Sequence, residues 1–167
     1  GYGLKVTTDA IARLGQLYLQ KGVWNGRRIL SEQWVALAGS KQIANGDNPN
    51  SDWNQGYGFQ FWRCRHNAYR GDGAFGQYCV VMPGQDAVLA INGGLGNMQQ
   101  VLDLAWTHLL PAMRDEALAA DPAAHGRLLE KLSSLALGTV RGEATSPLAG
   151  GVTGTTYHFA ENEKGLR

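Results

Sequence analysis

The chain has 167 residues, which suits one domain with its own core or part of a larger domain. Its charges nearly balance, with 15 Lys and Arg against 14 Asp and Glu, and no basic run or aromatic–basic stripe occurs, so nucleic acid is excluded as an expected partner. No apolar stretch has the length of a membrane span, and the 4 histidines are scattered singly, without a metal-ligand spacing. We therefore expect no membrane span, no metal and no cofactor.

A first helix is predicted near the start of the chain. Thr7 or Thr8 is a suitable cap, apolar residues recur at helical spacing from about Asp9 to Lys21, and Gly22 ends the pattern.

A hairpin and a second helix are predicted next. An Asn-Gly turn lies inside the apolar-flanked segment Val23–Leu30. Ser31 then caps a short helix that runs through Leu37, and the segment Gln42–Gln55, rich in Asn, Asp, Ser and Pro, is predicted to be a polar loop.

Three strands are predicted in the middle of the chain, over Tyr57–Arg65, Ala74–Met82 and Ala87–Asn92. Turn residues at 67–73 and 83–86 separate them. The sequence therefore predicts a three-stranded antiparallel meander.

Two further helices and a linker follow. The first, from about Asn97 to Met113, should cover the sheet with the apolar positions Val101, Leu104, Ala105, His108 and Leu109. On this stripe His108 is most simply a core residue. Asp121-Pro122 opens a helix through Leu135, and the Gly-, Thr- and Pro-rich segment Gly138–Thr156 is predicted to be a linker.

The segment from Gly71 to Met82 is the most informative part of the sequence. Glycines cluster where an apolar, β-branched strand begins, and Pro83-Gly84 closes that strand. Glycine in such a place marks close approach of the backbone to a ligand or to another backbone, so backbone N–H groups could be the functional groups. The alternative is a bulged hairpin turn with no ligand.

Both ends of the chain predict a fragment of a longer protein. Gly1-Tyr2-Gly3-Leu4 is neither an initiator Met nor a signal peptide, and Tyr157–Asn162 reads as the start of an alternating strand. Residues 144–167 resemble a linker that leads into the first strand of an appended β-rich domain, and the alternative is a frayed tail.

Several runs in chain order resemble one family. They are Gly3–Leu19, Gly26–Ser31, Tyr57–Trp62, the Gly-x-x-Gly-Gln run ending at Gln77, and the strand Asp86–Asn92 before a closing helix. Together they are similar to the middle and end of β-lactamase-related serine hydrolases: class C β-lactamases, penicillin-binding proteins, esterases and 6-aminohexanoate-dimer hydrolases. The resemblance covers residues 1–113.

The resemblance implies an α+β fold, namely an incomplete penicillin-binding, β-lactamase-like fold in which the meander packs with N-terminal and C-terminal helices. It places the C-terminal half of that domain at residues 1–113, a helical extension at 114–137, and a linker with the start of a truncated β-rich domain at 138–167. It also implies a bacterial parent protein that is periplasmic or secreted.

The chemistry implied by the resemblance is acyl transfer through a serine ester. The nucleophile of a Ser-x-x-Lys motif and the base of a Tyr-x-Asn motif are absent from this sequence, and in the family they lie upstream. The third motif, Lys-Thr-Gly, aligns with Gly71-Asp72-Gly73, so the N–H of Ala74 matches an oxyanion donor. The implied substrate-binding residues are Gly71, Asp72, Gly73, Phe75, Gly76 and Gln77. Gly71 occupies the lysine position of this motif, so neither Lys nor His is present there. This departure favours amide or ester substrates over β-lactams.

Simpler structural roles remain open for several of these residues. Asp72 also fits a turn, Phe75 and Tyr78 fit half-buried sheet positions, and Gln77 could line a pocket or face solvent. Trp53, in a polar loop, could rim a cleft.

Cys64 and Cys79 fall on neighbouring predicted strands. They are interpreted either as a cross-strand disulfide or as two buried thiols.

Two functions are consistent with the sequence. The first is a fragment of a serine hydrolase that supplies the oxyanion strand for a small-molecule amide or ester substrate and is inactive alone. The second is a non-catalytic module of penicillin-binding fold that binds a ligand or partner. In either case the exposed sheet surface offers an interface for a homodimer.

Overall fold

The computed structural model describes residues 3–138 and 142–165. The chain divides into two compact units between Leu118 and Ala119. The first unit is α+β, with one antiparallel sheet of two strands and one of four. Within the described residues the second unit contains helices and no strand.

The first part of the chain forms a helix, a hairpin and a second helix, as predicted: α1 Thr8–Leu19, β1 Val23–Trp24, β2 Arg27–Arg28 and α2 Glu32–Gly39. The Oγ1 atom of Thr7 accepts the N–H of Ala10 at 3.2 Å, which caps α1. The hydroxyl of Ser31 caps α2 in the same way, at 3.1 Å from the N–H of Trp34. Ser31 was predicted as the cap of α2, and of the two predicted candidates for α1, Thr7 and Thr8, the cap is Thr7.

The main sheet has four antiparallel strands in chain order: β3 Trp62–Arg63, β4 Tyr69–Gly73, β5 Gln77–Met82 and β6 Ala87–Ile91. The central pair, β4 and β5, is in register from Tyr69↔Val81 to Gly73↔Gln77. A 3₁₀ turn over Pro83–Gln85 joins β5 to β6.

The predicted three-stranded meander is wrong in one respect, because Tyr69–Gly73 forms a strand where a turn was expected. Its Gly and Asp residues have weak strand propensity, but five paired positions with β5 outweigh that preference. The strands predicted on either side of this segment are shorter than expected. The strand expected over Tyr57–Arg65 is reduced to β3, and the one expected from Ala74 begins at Gln77.

The helix after the sheet is irregular. It runs as α3 Met98–Leu104, then as a π-helical turn over Ala105–Leu109 and a 3₁₀ turn over Leu110–Ala112.

The buried face of this helix differs from the predicted one. Val101 and Ala105 are buried as predicted, but Leu104 and Leu109 are exposed, and the interpretation of His108 as a core residue is wrong because its side chain is exposed. Trp106 points inward instead, since its indole N–H reaches a buried carboxylate.

The sheet separates two apolar clusters. On one face Tyr78, Val80 and Met82 pack with Leu102 and Trp106. On the other face Val81 packs with Tyr69, Ala38 and Phe61. On this second face α1 lies so close to the sheet that a Cβ added to Gly15 would be only 2.5 Å from Cγ1 of Val88.

The second unit contains the other predicted helix as α4 Pro122–Ser133, whose cap is the carboxylate of Asp121. The predicted linker Gly138–Thr156 contains a short helix, α5 Ala149–Val152, and its residues 139–141 lie outside the described residues. Among the described residues, no helix combines the length and the apolar character that a membrane span requires.

Candidate functional site

The glycine cluster lies at an open edge of the main sheet. Gly71–Gly73 are the last residues of β4, and Ala74–Gly76 form the turn into β5. On its other side β4 is paired with β3 only at Tyr69 and Arg70. Among the described residues, Gly71–Gly73 therefore have a strand neighbour only on the β5 side, and their outer edge is open.

Ala74 directly follows this open edge. It lies in the turn and not in a strand as expected, because β4 ends at Gly73 and pairing resumes only at Gln77. Ala74 is exposed, and its N–H has no hydrogen-bond acceptor among the described residues. A backbone donor is thus left available at the end of an open strand edge.

The segment after β6 holds this turn in place. The side-chain amide of Gln77 donates to the carbonyl of Gly93, and its oxygen accepts the N–H of Gly93 at 3.3 Å. The N–H of Leu95 donates to the carbonyl of Phe75 at 2.9 Å. A Cβ on Gly93 would lie 2.8 Å from the carbonyl oxygens of both Phe75 and Gly76, so only glycine fits this approach. Gln77, the first residue of β5, therefore links the turn to Gly93, whose part in this packing was not predicted.

Phe75 and Tyr78 differ sharply in exposure. The Phe75 side chain is 63% exposed, whereas Tyr78 is 1% exposed and its hydroxyl donates to the carbonyl of Met98 at 3.0 Å. Burial raises the pKa of Tyr78 to about 12. The half-buried interpretation is thus wrong for both residues: Phe75 faces outward, and Tyr78 belongs to the core.

Asp72 forms an ion pair with a buried arginine two residues earlier on the same face of β4. The Nε of Arg70 donates to Oδ2 of Asp72 at 3.1 Å, and the side chains are 0% and 13% exposed. Burial raises the pKa of Asp72, and the nearby Arg70 opposes that shift. The guanidinium of Arg70 also lies 4.6 Å from the ring centre of Trp53, so Trp53 packs on this cation.

Among the described residues, Asp52 is the other buried charged side chain, and no role was predicted for it. Its carboxylate accepts the backbone N–H of Arg65 at 2.9 Å, the indole N–H of Trp106 at 3.0 Å and the side-chain amide of Gln99 at 2.9 Å. The Arg65 guanidinium adds an ion pair at 2.8 Å. Burial acts to raise the pKa of Asp52, but these hydrogen bonds outweigh it and lower that pKa. An Asp in a polar loop offers no sequence signal for this role.

Cys64 and Cys79 are free and buried, so the disulfide hypothesis is wrong. Cys64 belongs to the cluster with Tyr78, whereas the Sγ of Cys79 lies 3.4 Å from the carbonyl oxygen of Ile11 on the α1 side. The unexpected strand β4 lies between the two cysteines. Within the described part of the chain, no group of three or more His, Cys, Asp or Glu side chains could hold a metal ion.

A cleft of about 760 Å³ lies at the opposite end of β5 from Ala74. Pro83–Asp86, His66, Leu110 and Arg114 contribute to its lining. None of the sequence-predicted site residues lines this cleft.

The four-stranded antiparallel sheet, with helices packed on both faces, defines an α+β fold compatible with part of a β-lactamase-like domain. Among solved structures, one from Bacillus anthracis that carries the assignment 6-aminohexanoate-dimer hydrolase is similar, with a TM-score of 0.51 and 22% sequence identity. The similarity covers 68% of this chain and 31% of that one. At this identity the comparison establishes the fold alone. No protein-family model and no curated protein sequence matches the chain.

Proposed function

We propose that this chain is the oxyanion-strand part of a serine hydrolase that cleaves an amide or ester through an acyl-serine intermediate. One observation carries the proposal: Ala74 is an exposed residue at the open end of β4, and its N–H has no acceptor within the part of the chain that the structure describes. The turn that presents it is tied to Gly93 and Leu95 by hydrogen bonds, which suits a donor that must not reorganise during the reaction.

The proposed chemistry is nucleophilic attack by a serine hydroxyl on the substrate carbonyl. The carbonyl π electrons move to oxygen, a base takes the serine proton, and the resulting oxyanion accepts hydrogen bonds from two N–H groups. Ala74 supplies one of these donors. A single donor of this kind typically lowers the barrier by about 3 kcal/mol.

The charges around the edge support a neutral substrate group. Gly71 occupies the position where the resembled motif has a lysine, and the Asp72 carboxylate is paired with Arg70. Arg70 itself is fully buried. The segment 71–77 therefore offers no free cation to bind a substrate carboxylate, which supports an amide or ester over a β-lactam.

The nucleophile and base are proposed to lie outside this sequence, which contains neither Ser-x-x-Lys nor Tyr-x-Asn. The structural similarity, which covers only 31% of the solved chain, supports this division of the site. Export to the bacterial periplasm and a homodimer through the sheet surface stay predictions.

Covalent labelling tests the proposal. The polypeptide encoded by the complete reading frame is treated with a fluorophosphonate probe, and the modified peptide is identified by mass spectrometry. The expected result is an adduct on a serine that precedes Gly1 and is followed by Lys three residues later. A folded polypeptide without any adduct would contradict the proposal and support the non-catalytic binding module.

Replacement of Ala74 tests the oxyanion donor directly. Ala74→Pro removes the N–H and is expected to lower kcat by about 100- to 1,000-fold. Ala74→Ser keeps the N–H and is the matched control, with kcat expected to stay near that of the unmodified enzyme. Equal kcat values for the two variants would exclude this donor role.

A further inference from the structure

Phe75 has an unusual combination of exposure and backbone conformation. Its side chain is 63% exposed, and its φ of +67° places a bulky residue in the left-handed region. Non-glycine residues rarely adopt this conformation, and a bulky one does so only where the surroundings impose it.

The surroundings do impose it. The Phe75 carbonyl accepts the N–H of Leu95 at 2.9 Å, and Gly93 packs against that carbonyl oxygen. The next residue, Gly76, also has a positive φ, of +84°, and is buried. The turn therefore fixes the Phe75 backbone while it leaves the aromatic ring in solvent.

Two exposed apolar residues lie near the proposed donor. Phe75 follows Ala74 directly, and Leu95, which the backbone hydrogen bond joins to Phe75, is 47% exposed. The nearest charge on the strand edge, Asp72, is already paired with Arg70. A substrate carbonyl bound at Ala74 would thus be flanked by apolar surface without a free charge.

We infer that Phe75, with Leu95, is a specificity-determining wall that selects substrates with an apolar aliphatic or aromatic group next to the scissile carbonyl. The inference rests on the proposed serine hydrolase function and extends it to the substrate class. The physical basis is that an exposed aromatic ring on a fixed backbone offers a large apolar surface, which a bound apolar group would remove from water.

The test compares two esters, p-nitrophenyl acetate and p-nitrophenyl octanoate, with the polypeptide encoded by the complete reading frame. Phe75→Gly removes the ring and fits the positive φ. It is expected to lower the octanoate-to-acetate ratio of kcat/KM at least about 10-fold. Phe75→Asn, which also tolerates this backbone conformation, is expected to give the same selective loss.

Asp86→Gly is the matched control for backbone strain. Asp86 also has a positive φ, of 48°, but it lies in the turn at the other end of β5. This variant is expected to leave the ratio of kcat/KM for the two esters unchanged.

The outcomes separate the two proposals. An unmodified enzyme that hydrolyses neither ester and takes no fluorophosphonate label overturns the proposed function. Hydrolysis of both esters with an octanoate-to-acetate ratio that neither Phe75 variant changes overturns the specificity role alone.

Discussion

Arg70 and Asp52, both 0% exposed, are joined by a hydrogen bond from Nη1 of Arg70 to the backbone carbonyl of Asp52 at 2.9 Å. The same guanidinium donates to Asp72 on the open part of β4. The carboxylate of Asp52 in turn accepts the indole N–H of Trp106. The polar loop, β4 and the helix that covers the sheet are thus linked through two buried charges.

Removal of the buried cation should destabilise the first unit strongly. Arg70→Met leaves the Asp72 carboxylate without its partner and the Asp52 carbonyl without its donor. We expect a loss of about 3–5 kcal/mol in the free energy of unfolding, measured by urea denaturation. The matched control is Arg13→Met, which breaks the exposed pair of Arg13 with Asp9 and should cost no more than about 0.5 kcal/mol. Similar losses for the two variants would disprove the role assigned to Arg70.

Asp52 should make the stability depend on pH in the acid range. Its pKa is lowered in the folded state, so the carboxylate contributes stability above the unfolded-state pKa of about 4 and loses that contribution as the pH falls through the folded-state pKa. Asp52→Asn is therefore expected to cost about 3–5 kcal/mol at pH 7 and progressively less in strong acid. Denaturant unfolding of both proteins at a series of pH values measures the difference. A difference that does not vary with pH would show that the charge of Asp52 is not involved.

Separate replacement of Gly93 and Gly94 tests whether the packing of Gly93 holds the turn Ala74–Gly76 in place. Gly93→Ala would place a Cβ 2.8 Å from two carbonyl oxygens of the turn, whereas a Cβ on Gly94 would meet nothing within 4 Å. We expect Gly93→Ala to cost about 1–3 kcal/mol and to shift the amide resonance of Ala74 in an NMR spectrum. Gly94→Ala should leave that resonance in place. An unshifted Ala74 amide in both variants would contradict the packing of Gly93 on the turn.

The two cysteines should behave as buried thiols. Burial raises the pKa of Cys64 and that of Cys79 to about 11 each, so neither thiolate is populated near neutral pH. We expect no reaction with a disulfide reagent in the native protein and two reactive thiols after denaturation. Rapid labelling of the native protein, or a mass that corresponds to a disulfide, would refute this prediction.

Local features of the sequence were sufficient to predict the helices that have capping residues and the hairpin that has an Asn-Gly turn. The predicted caps, Thr7 or Thr8, Ser31 and Asp121, identified three helices, and Asn25-Gly26 identified a hairpin. These signals are reliable because a cap or a tight turn is stabilised by residues within a few positions of one another.

Structural features that depend on contacts between distant residues could not be predicted from local sequence. Strand β4 contains Gly71, Asp72 and Gly73, which favour a turn, and it forms because β5 pairs with it. The buried face of the helix after the sheet likewise depends on the Trp106 contact with Asp52, 54 residues earlier in the chain.

The sequence alone determined the helix caps, the hairpin and the cluster of glycines before an apolar strand, because each follows from local propensity or residue type, and the family resemblance implied the α+β class. Only the tertiary structure decided that Gly71–Gly73 form an open strand edge, that Gly93 holds the turn and that Phe75 points into solvent. These properties arise from contacts between segments far apart in the chain, whose geometry no local pattern encodes.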